Sequence, residues 1–397
     1  MAIEAADTVW VLISSALVLL MLPGLALFYG GLVQRKNVLS SMMHSFVAMG
    51  VMALEWVLIG YSLAFADGNW FVGGLGHAFL KGIDVYSVTG TIPTYAYVAF
   101  QGMFAIITPA LISGAIVGRV KFKSYIAFIA LWGIIVYAPV CHWVWGGGFL
   151  TGKALDFAGG TVVHITSGIS SLAILTYLGK RRGFGVDPLK PHNVTLTLLG
   201  TGLLWFGWFG FNAGSSLAAN EIASLAFITT LVAPAAAGFV WMALEWRHLG
   251  YPTALGFATG VLAGLVAITP SAGFVTPMAA IPIGVITSFV CYNAVGLKER
   301  LGYDDSLDAF GVHGVGGIVG ALLVGVFASV GGTGLLLGNS SQMLIQLQGV
   351  VVTIVYAAAG TLLIGFILNK TIGLKVSESE ENIGLDKTQH GEVAYNI

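Results

Sequence analysis

Two histidines occupy matching positions in two distant stretches of the chain. His164 closes the stretch Asp-Phe-Ala-Gly-Gly-Thr-Val-Val-His at 156–164, and His313 closes Asp-Ser-Leu-Asp-Ala-Phe-Gly-Val-His at 305–313. Each histidine follows an aspartate by eight residues and precedes Gly-Ile by four. Neutral imidazole both donates and accepts a hydrogen bond, so a pair can bind each other in an apolar lumen without net charge. The spacing predicts one site made of two halves, which deprotonates a small cation or relays its proton.

Other interpretations of the pair stay open from the residues alone. The two side chains could be unrelated core histidines that bind backbone groups, or the axial ligands of a haem, and Gly and Val are abundant enough for the repeat to arise by chance. Counting residues places His164 near the outer end of its helix and His313 near the inner end of its own. They meet only if both helices begin inside the membrane, which Gly159, Gly160 and Gly311 would allow.

Composition indicates what surrounds the histidines. Of 397 residues, 57% are hydrophobic and 9% charged, and the mean hydropathy is +0.89, whereas soluble domains carry roughly 25% charged residues. The net charge of −1 gives no reason to expect nucleic acid as a partner. Cys141 and Cys291 lie in apolar runs, so no disulfide or metal site is expected. The first residues lack a basic segment, so we expect no cleaved signal peptide.

Apolar runs of about 20 residues, the length that spans a bilayer, recur along the whole chain. There are eleven, at roughly 8–32, 40–66, 94–118, 123–143, 158–179, 193–217, 222–244, 253–269, 275–296, 311–331 and 343–369. The eighth is short and is closed by Pro270. We therefore expect an all-α polytopic membrane protein of eleven transmembrane helices in the cell membrane.

Basic residues fall almost entirely in alternate loops. Fifteen of the 17 Lys and Arg follow odd-numbered runs, and only Lys81 and Lys153 follow even-numbered ones. Because cytoplasmic loops carry the excess of Lys and Arg, the N-terminus is predicted outside and the C-terminus inside. A missed or added span would break this alternation.

The repeated frame opens runs 5 and 10, which are five spans apart, so its second copy enters the membrane from the opposite face. This is the inverted five-plus-five repeat of many transporters. We expect a transmembrane domain at 1–370, with repeat one at about 8–179, repeat two at about 193–331 and an extra helix at about 343–369. The acidic stretch 371–397 is either a solvated cytoplasmic tail or a regulatory segment that packs under the bundle.

Carboxylates inside or beside the runs have several possible roles. Asp156 and Asp305 precede helices, so they are expected to cap them or to contact a cation, and Asp308 is a rival cap in the second frame. Glu55 lies well inside run 2, where an unpaired carboxylate is costly, so it is expected to be protonated, to pair with a neighbour or to face a subunit contact. Glu245 ends run 7 in the same pentapeptide, Met-Ala-Leu-Glu-Trp, at a different depth.

Aromatic residues gather in the predicted outer halves of the runs. Aromatic faces attract cations and a serine hydroxyl can accept a hydrogen bond from an ammonium group, although Trp and Tyr also populate membrane interfaces in general. The residues are Phe100, Phe104, Trp145, Phe209 and Phe211, followed by Ser215.

These stretches together resemble the ammonium transporter family (Amt/Mep/Rh) over almost the whole chain. The matching motifs are PGLALFYGG at 23–31, GYSLAF at 60–65, HWVWGGG at 142–148, DFAGGTVVH at 156–164, WFGFNAGS at 208–215, ANE at 219–221, FGVHG at 310–314, and GLD, HGE and AY in the tail at 384–395. Any one motif alone is weak, and their combination is specific.

The resemblance implies a site as well as a fold. It implies an eleven-span protomer in a homotrimer, with Phe104, Trp145 and Ser215 as the outer ammonium recruitment site. It implies that Phe104 and Phe211 form a stacked gate, and that His164 and His313 are the twin histidines of the pore. Asp156 is then a structural carboxylate near the recruitment site, and Thr269 a pore-region threonine.

The function expected is therefore transport rather than enzymatic catalysis, with no cofactor and no metal. Ammonium or methylammonium is recruited outside, deprotonated and conducted as ammonia, with or without its separated proton. A cytoplasmic P-II signal protein is a partner in bacterial and archaeal relatives. An ammonium sensor that signals through such a partner is the alternative, and a bis-histidine haem protein is a third interpretation.

Overall fold

The computed structural model describes residues 2–186 and 189–396, and most of this part of the chain is helical. Ten of its helices are long and apolar enough to cross a membrane. They are α1 (Ala5–Leu32), α2 (Arg35–Phe65), α3 (Thr94–Ile116), α4 (Phe122–Trp145), α5 (Gly160–Leu178), α6 (Val194–Gly214), α7 (Glu221–Leu249), α9 (Pro277–Leu301), α10 (Phe310–Phe327) and α11 (Ser340–Thr371). Between α7 and α9 lies the shorter apolar helix α8 (Ala254–Ile268).

The helices lie at the positions of the predicted apolar runs, and the prediction of a multi-pass helical membrane protein is confirmed. The eighth run forms a helix of 15 residues, which is shorter than the length that spans a bilayer unaided. The count of eleven spans therefore stays a prediction, as do the inverted repeat and the orientation.

Small elements connect and follow the bundle. Strands β1 (Val88–Thr89) and β2 (Ile92–Pro93) pair antiparallel ahead of α3, with Thr89 opposite Ile92. Single turns of 3-10 helix lie at Ala78–Leu80 and Leu335–Leu337. After α11 come two short helices, α12 (Glu378–Ile383) and α13 (Leu385–His390).

Local sequence explains where several helices begin. A side-chain oxygen just before the helix accepts a hydrogen bond from the backbone N–H three residues later, which satisfies a donor that the helix itself leaves unpaired. These residues are Asn193, Asn220, Thr253, Thr276 and Asn339. Gly250 and Gly302, with φ of 83° and 75°, end α7 and α9 in the left-handed conformation that glycine favours.

Four helices contain a π-helical turn, in which a backbone N–H bonds to the carbonyl five residues earlier instead of four. The turns are Trp56–Gly60 in α2, Gly133–Tyr137 in α4, Gly160–Ile165 at the start of α5 and Phe310–Gly314 at the start of α10. Such turns are rare and occur often at functional sites.

The helices form an inner group with an outer ring around it. Helices α3 and α5 are buried on nearly every side, whereas α2, α6, α7, α9 and α11 expose large apolar side chains such as Leu54, Phe206, Phe239, Met278 and Val355. A soluble monomer rarely exposes so much apolar surface. This outer surface suits lipid or a second protomer.

The segment after α11 packs against one end of the bundle, which we name the tail face. Leu385 is fully buried and its N–H donates to Asn37 Oδ1 at 2.8 Å. The Asp386 carboxylate accepts the Ser40 N–H at 2.8 Å, and Lys36 Nζ donates to the Glu381 carbonyl at 2.8 Å. Of the two arrangements considered for the tail, the described residues adopt the packed one.

Acidification is expected to weaken this packing through His390. Burial against α4, where its ring meets Phe122 at 4.6 Å, lowers the pKa of His390, while the nearby Asp386 and Glu392 carboxylates act in the opposite direction. Because the packed tail favours neutral His390, its contribution is complete above the ordinary pKa of about 6.5 and is lost as pH falls through the lowered value. Amide protection factors in 384–391 should fall below pH 6.5, by at most about tenfold per pH unit for one proton.

The matched variants for this measurement are His390→Gln, which should remove the pH dependence, and Lys387→Gln at an exposed position, which should keep it. Protection that does not change with pH in the unaltered protein would contradict this account of His390.

Candidate functional site

His164 and His313 lie side by side in the middle of the bundle. Their Nδ1 atoms are 3.2 Å apart, and their rings are nearly parallel, with centroids separated by 5.3 Å. Both residues are buried. The π-turns at the starts of α5 and α10 carry them, so both helices do begin deep enough for the side chains to meet.

The short Nδ1–Nδ1 contact determines what the pair presents to a ligand. If both rings are neutral, one Nδ1 must donate and the other accept. The donor ring then has a free acceptor at Nε2, and its partner has an N–H donor at Nε2. The pair can thus take a proton from one molecule and donate a hydrogen bond to another. A metal–imidazole bond is about 2.0–2.1 Å long, so a separation of 3.2 Å leaves no room for a haem between the rings.

Two aspartates hold the helix starts that carry the histidines. Asp156 accepts four backbone N–H groups: those of Gly159 and Gly160 on Oδ1 at 2.8 and 2.6 Å, and those of Thr161 and Val162 on Oδ2 at 2.8 and 3.2 Å. These are the donors that a helix N-terminus leaves unpaired.

Asp305 makes the matching contacts at the second helix start. It accepts the N–H groups of Ala309 and Phe310 at 3.1 and 2.8 Å, and these donors lie four and five residues after it, as Gly160 and Thr161 do after Asp156. Asp308, the rival cap, instead pairs with Lys298 Nζ at 2.5 Å.

The two helix starts also contact each other reciprocally. A Cβ on Gly168 would collide with the backbone of Gly314, and a Cβ on Gly317 would lie 3.0 Å from the Cβ of His164. Each histidine segment therefore packs on the glycine that follows the other histidine by four residues. Only glycine permits this approach, which explains the glycine of the Gly-Ile pair repeated in the sequence.

The predicted recruitment residues meet in a cavity of about 280 Å³ on the face opposite the tail. Phe104 and Trp145 stand edge to face at 5.7 Å, and the Trp145 indole N–H donates to the Asp156 carbonyl at 2.9 Å. The Ser215 hydroxyl donates to the Phe211 carbonyl at 2.8 Å. Its oxygen therefore keeps lone pairs for a ligand that donates hydrogen bonds.

Phe104 and Phe211 separate this outer cavity from the histidines. Their ring centroids are 4.5 Å apart and each side chain is 1% exposed. On the inner side, Phe211 lies 6.1 Å from the His164 ring. The two phenylalanines therefore form a closed partition at the position predicted for the gate.

Beyond the partition the passage is narrow and then widens. The space beside His164 and His313 measures about 10 Å³ and is lined mainly by apolar side chains, which is near the least volume that holds one water. His313 also borders a cavity of about 360 Å³ that lies towards the tail face. A line of cavities thus runs from the outer cavity, past the phenylalanines and the histidines, to the tail face.

Sequence reasoning missed Trp208 as a site residue. Its ring stacks on His164 at 5.5 Å and 18°, and its indole N–H donates to Thr269 Oγ1 at 2.9 Å. Thr269 therefore contacts Trp208, and Trp208 in turn contacts His164. The signal was present, because Trp208 and Phe211 are three residues apart and share one face of α6.

Some candidates lie away from the site. Phe209 stacks on Phe227 at 4.1 Å, outside the outer cavity, and Phe100 only supports Phe104 from behind at 5.0 Å. Within 2–186 and 189–396, no group of three or more His, Cys, Asp or Glu residues is arranged to hold a metal ion.

Comparison with known proteins gives the same family along the whole chain. The family model described as Ammonium Transporter Family matches residues 9–395. The chain is 52% identical to an ammonium transporter of Aquifex aeolicus, over 100% of this chain and 94% of that protein. It is 48% identical to an ammonium transporter of Bacillus subtilis, over 99% of each.

Solved structures share the fold. The crystal structure of Saccharomyces cerevisiae Mep2 has a TM-score of 0.89 at 36% identity and covers 95% of this chain and 88% of its own. A structure titled Sensor Amt Protein has a TM-score of 0.90 at 32% identity and covers 97% of this chain and 98% of its own.

Asp156→Asn should destabilise the protein and displace His164. An amide in place of the carboxylate turns an NH₂ donor towards two backbone N–H donors, and a buried donor without an acceptor costs roughly 1–3 kcal/mol. Thermal unfolding of the protein in detergent measures the loss. Glu221→Gln is the matched control, because Glu221 also begins a helix but is exposed. Equal melting temperatures for the two variants would contradict the role given to Asp156.

Proposed function

The chain belongs to the ammonium transporter family, and we propose that it recruits ammonium at the outer cavity, deprotonates it and conducts ammonia past His164 and His313. The observation that carries the proposal is the 3.2 Å histidine pair, which lies on the line of cavities directly behind the phenylalanine partition.

Recruitment rests on Phe104, Trp145 and Ser215. A cation over an aromatic face gains about 0.5–2 kcal/mol, with the larger values at desolvated sites, and the Ser215 oxygen can accept an ammonium N–H. Potassium would gain from the aromatic faces too, but it has no N–H to donate to Ser215. Hydrogen bonding therefore favours ammonium over potassium at this cavity.

Deprotonation follows from the dryness of the passage. Moving a full cation from water into a space of about 10 Å³ lined by apolar groups costs several kcal/mol. Neutral ammonia avoids that cost, and it can donate to the acceptor Nε2 and accept from the donor Nε2 of the pair. The proton either returns to the outer side or crosses separately along the histidines, and both modes agree with this geometry.

We further propose the topology predicted from the loops, with eleven spans, the N-terminus outside and the tail face cytoplasmic. The transmembrane domain is then 1–370, with repeats at about 8–179 and 193–331, the extra helix at about 343–369, and the tail at 371–397. The equal offsets of the amides bound by Asp156 and Asp305, and the reciprocal Gly168 and Gly317 contacts, support an inverted repeat. The homotrimer is proposed from the family resemblance, and the exposed apolar faces of the outer helices leave room for contacts between protomers.

His164→Ala should abolish selective ammonium current. Solid-supported-membrane electrophysiology of proteoliposomes, with jumps of ammonium, methylammonium or potassium, measures this directly. The variant should lower the ammonium current about 5- to 30-fold, as expected when a hydrogen-bonding partner worth about 1–2 kcal/mol is lost, or should let potassium pass as well. His248→Ala, at an exposed histidine near the end of α7, is the control. Unchanged current with unchanged selectivity would argue against the pore role of the pair.

A second candidate function is ammonium sensing through a P-II signal protein bound at the tail face. The observations in its favour are the fold shared with the sensor Amt structure and the packed tail, which offers a surface that could respond to the bundle.

We expect a P-II protein to be retained by the immobilised full chain and to bind less to a chain lacking 371–397. A pull-down with purified components measures the difference, and Lys387→Gln serves as the full-length control. Equal binding with and without the tail would remove the tail from this role.

A further inference from the structure

Two buried glutamates share the same local sequence and differ in their surroundings. Glu55 and Glu245 each stand in Met-Ala-Leu-Glu-Trp, and they are 8% and 9% exposed. Glu245 Oε2 accepts the N–H and the hydroxyl of Thr253 at 3.0 and 2.8 Å, at the start of α8. Glu55 makes no ion pair among the described residues, and its Oε1 is fully buried without a hydrogen-bond partner.

The carboxyl group of Glu55 occupies a niche between two π-turns. A Cβ on Gly60 would lie 2.9 Å from Glu55 Oε2, and a Cβ on Gly133 would lie 3.3 Å from the same atom. These glycines belong to the turns Trp56–Gly60 and Gly133–Tyr137. The other two π-turns of the bundle carry the paired histidines, so all four surround polar groups in its interior.

Polar side chains extend from this niche towards the outer cavity. The Tyr137 hydroxyl and Gln101 Oε1 are, like Glu55 Oε1, buried atoms without a hydrogen-bond partner. Cys141, Glu55 and Tyr97 are the acidic neighbours of Tyr137, and the Tyr97 hydroxyl lies beside the side chain of Gln101.

This series ends at the outer cavity, because Tyr97 and Gln101 line it together with Trp145 and Ser215. Tyr137 from α4 is the titratable neighbour of Glu55, and it adjoins Cys141 and Tyr97. Tyr97 in turn adjoins Gln101 and Tyr61. None of these groups is basic.

We propose that Glu55 is a second proton-exchanging site, which releases and takes up its proton through the outer cavity and, when ionised, strengthens cation binding there. An unpaired carboxylate in this interior is costly, so Glu55 holds a proton while the cavity is empty. A cation in the cavity favours the ionised form, and the released proton leaves to the water outside through that cavity. By linkage, the factor by which a bound cation favours ionisation of Glu55 equals the factor by which the ionised carboxylate tightens cation binding.

The cation is ammonium if the proposed function holds, and the two ideas can be tested apart. Glu55 is tested by reaction with the hydrophobic carbodiimide dicyclohexylcarbodiimide, which needs no transport. A protonated carboxyl adds across one C=N bond to give an O-acylisourea, which rearranges to a stable N-acylurea with all atoms retained.

The unaltered protein in proteoliposomes should gain one adduct on the peptide that contains Glu55, and the yield should fall as pH rises and as ammonium is added. Glu55→Gln should lose this adduct. Glu245 should react far less, since Thr253 holds its carboxylate. Absence of the Glu55 adduct across about pH 5.5–8, or a yield that does not change when ammonium is added, would overturn the proposal.

The second measurement is the half-saturating ammonium concentration of the current over the same pH range. Two unit charges roughly 10–12 Å apart at an effective dielectric constant near 20 change binding by about tenfold. Apparent affinity should rise by up to that factor with pH in the unaltered protein and in Glu245→Gln, and should rise less in Glu55→Gln. Identical pH profiles for Glu55→Gln and the unaltered protein would overturn the proposal that ionised Glu55 strengthens cation binding in the outer cavity. No ammonium current in any of them would refute the proposed function and leave the labelling to decide the state of Glu55.

Discussion

The four hydrogen bonds to Asp156 are the interaction on which the site depends. A helix that begins inside a bundle presents unpaired N–H groups where no bulk water can reach them, and each would cost free energy. Asp156 accepts four of these donors between 2.6 and 3.2 Å. The helix start also favours the negative charge that the carboxylate brings. This cap allows α5 to start at the depth where His164 can meet a partner.

The same constraint explains the second half of the site. Asp305 provides the equivalent cap for α10, and the glycines after each histidine let the two helix starts approach until their backbones touch. With both helices fixed, the imidazoles have little freedom to separate, and Trp208 limits rotation of His164 from the other side. Thr269 in turn holds Trp208. The histidine pair is therefore prepared in advance, which in the proposed function lets it bind a small molecule without rearranging.

Periodic and local features of this chain could be predicted from its sequence, and features that depend on distant contacts could not. Apolar length located the helices, and the repeated Asp-to-His spacing located the pair, because both are encoded by neighbouring residues. Trp208 was missed because its role depends on α5 and α8, which lie far from it in the chain. The sequence did not distinguish Asp308 from Asp305 as a helix cap, because only the folded structure shows that the Asp308 carboxylate pairs with Lys298. The two Met-Ala-Leu-Glu-Trp pentapeptides show the limit most directly, since Thr253 binds Glu245 whereas Glu55 lies between two π-turns.

In the proposed function, the phenylalanine partition sets the order of events at the site. With Phe104 and Phe211 in contact at 4.5 Å, a ligand can occupy the outer cavity but cannot reach the histidines. Separating such an aromatic pair costs about 0.5–1.5 kcal/mol beyond its buried area, a barrier that thermal motion crosses readily. A hydrated ion, however, must also shed its water to enter the space behind the rings. In the proposed function, dehydration is therefore the main cost of passing the partition, and a molecule that becomes neutral in front of the rings bears only a small part of that cost.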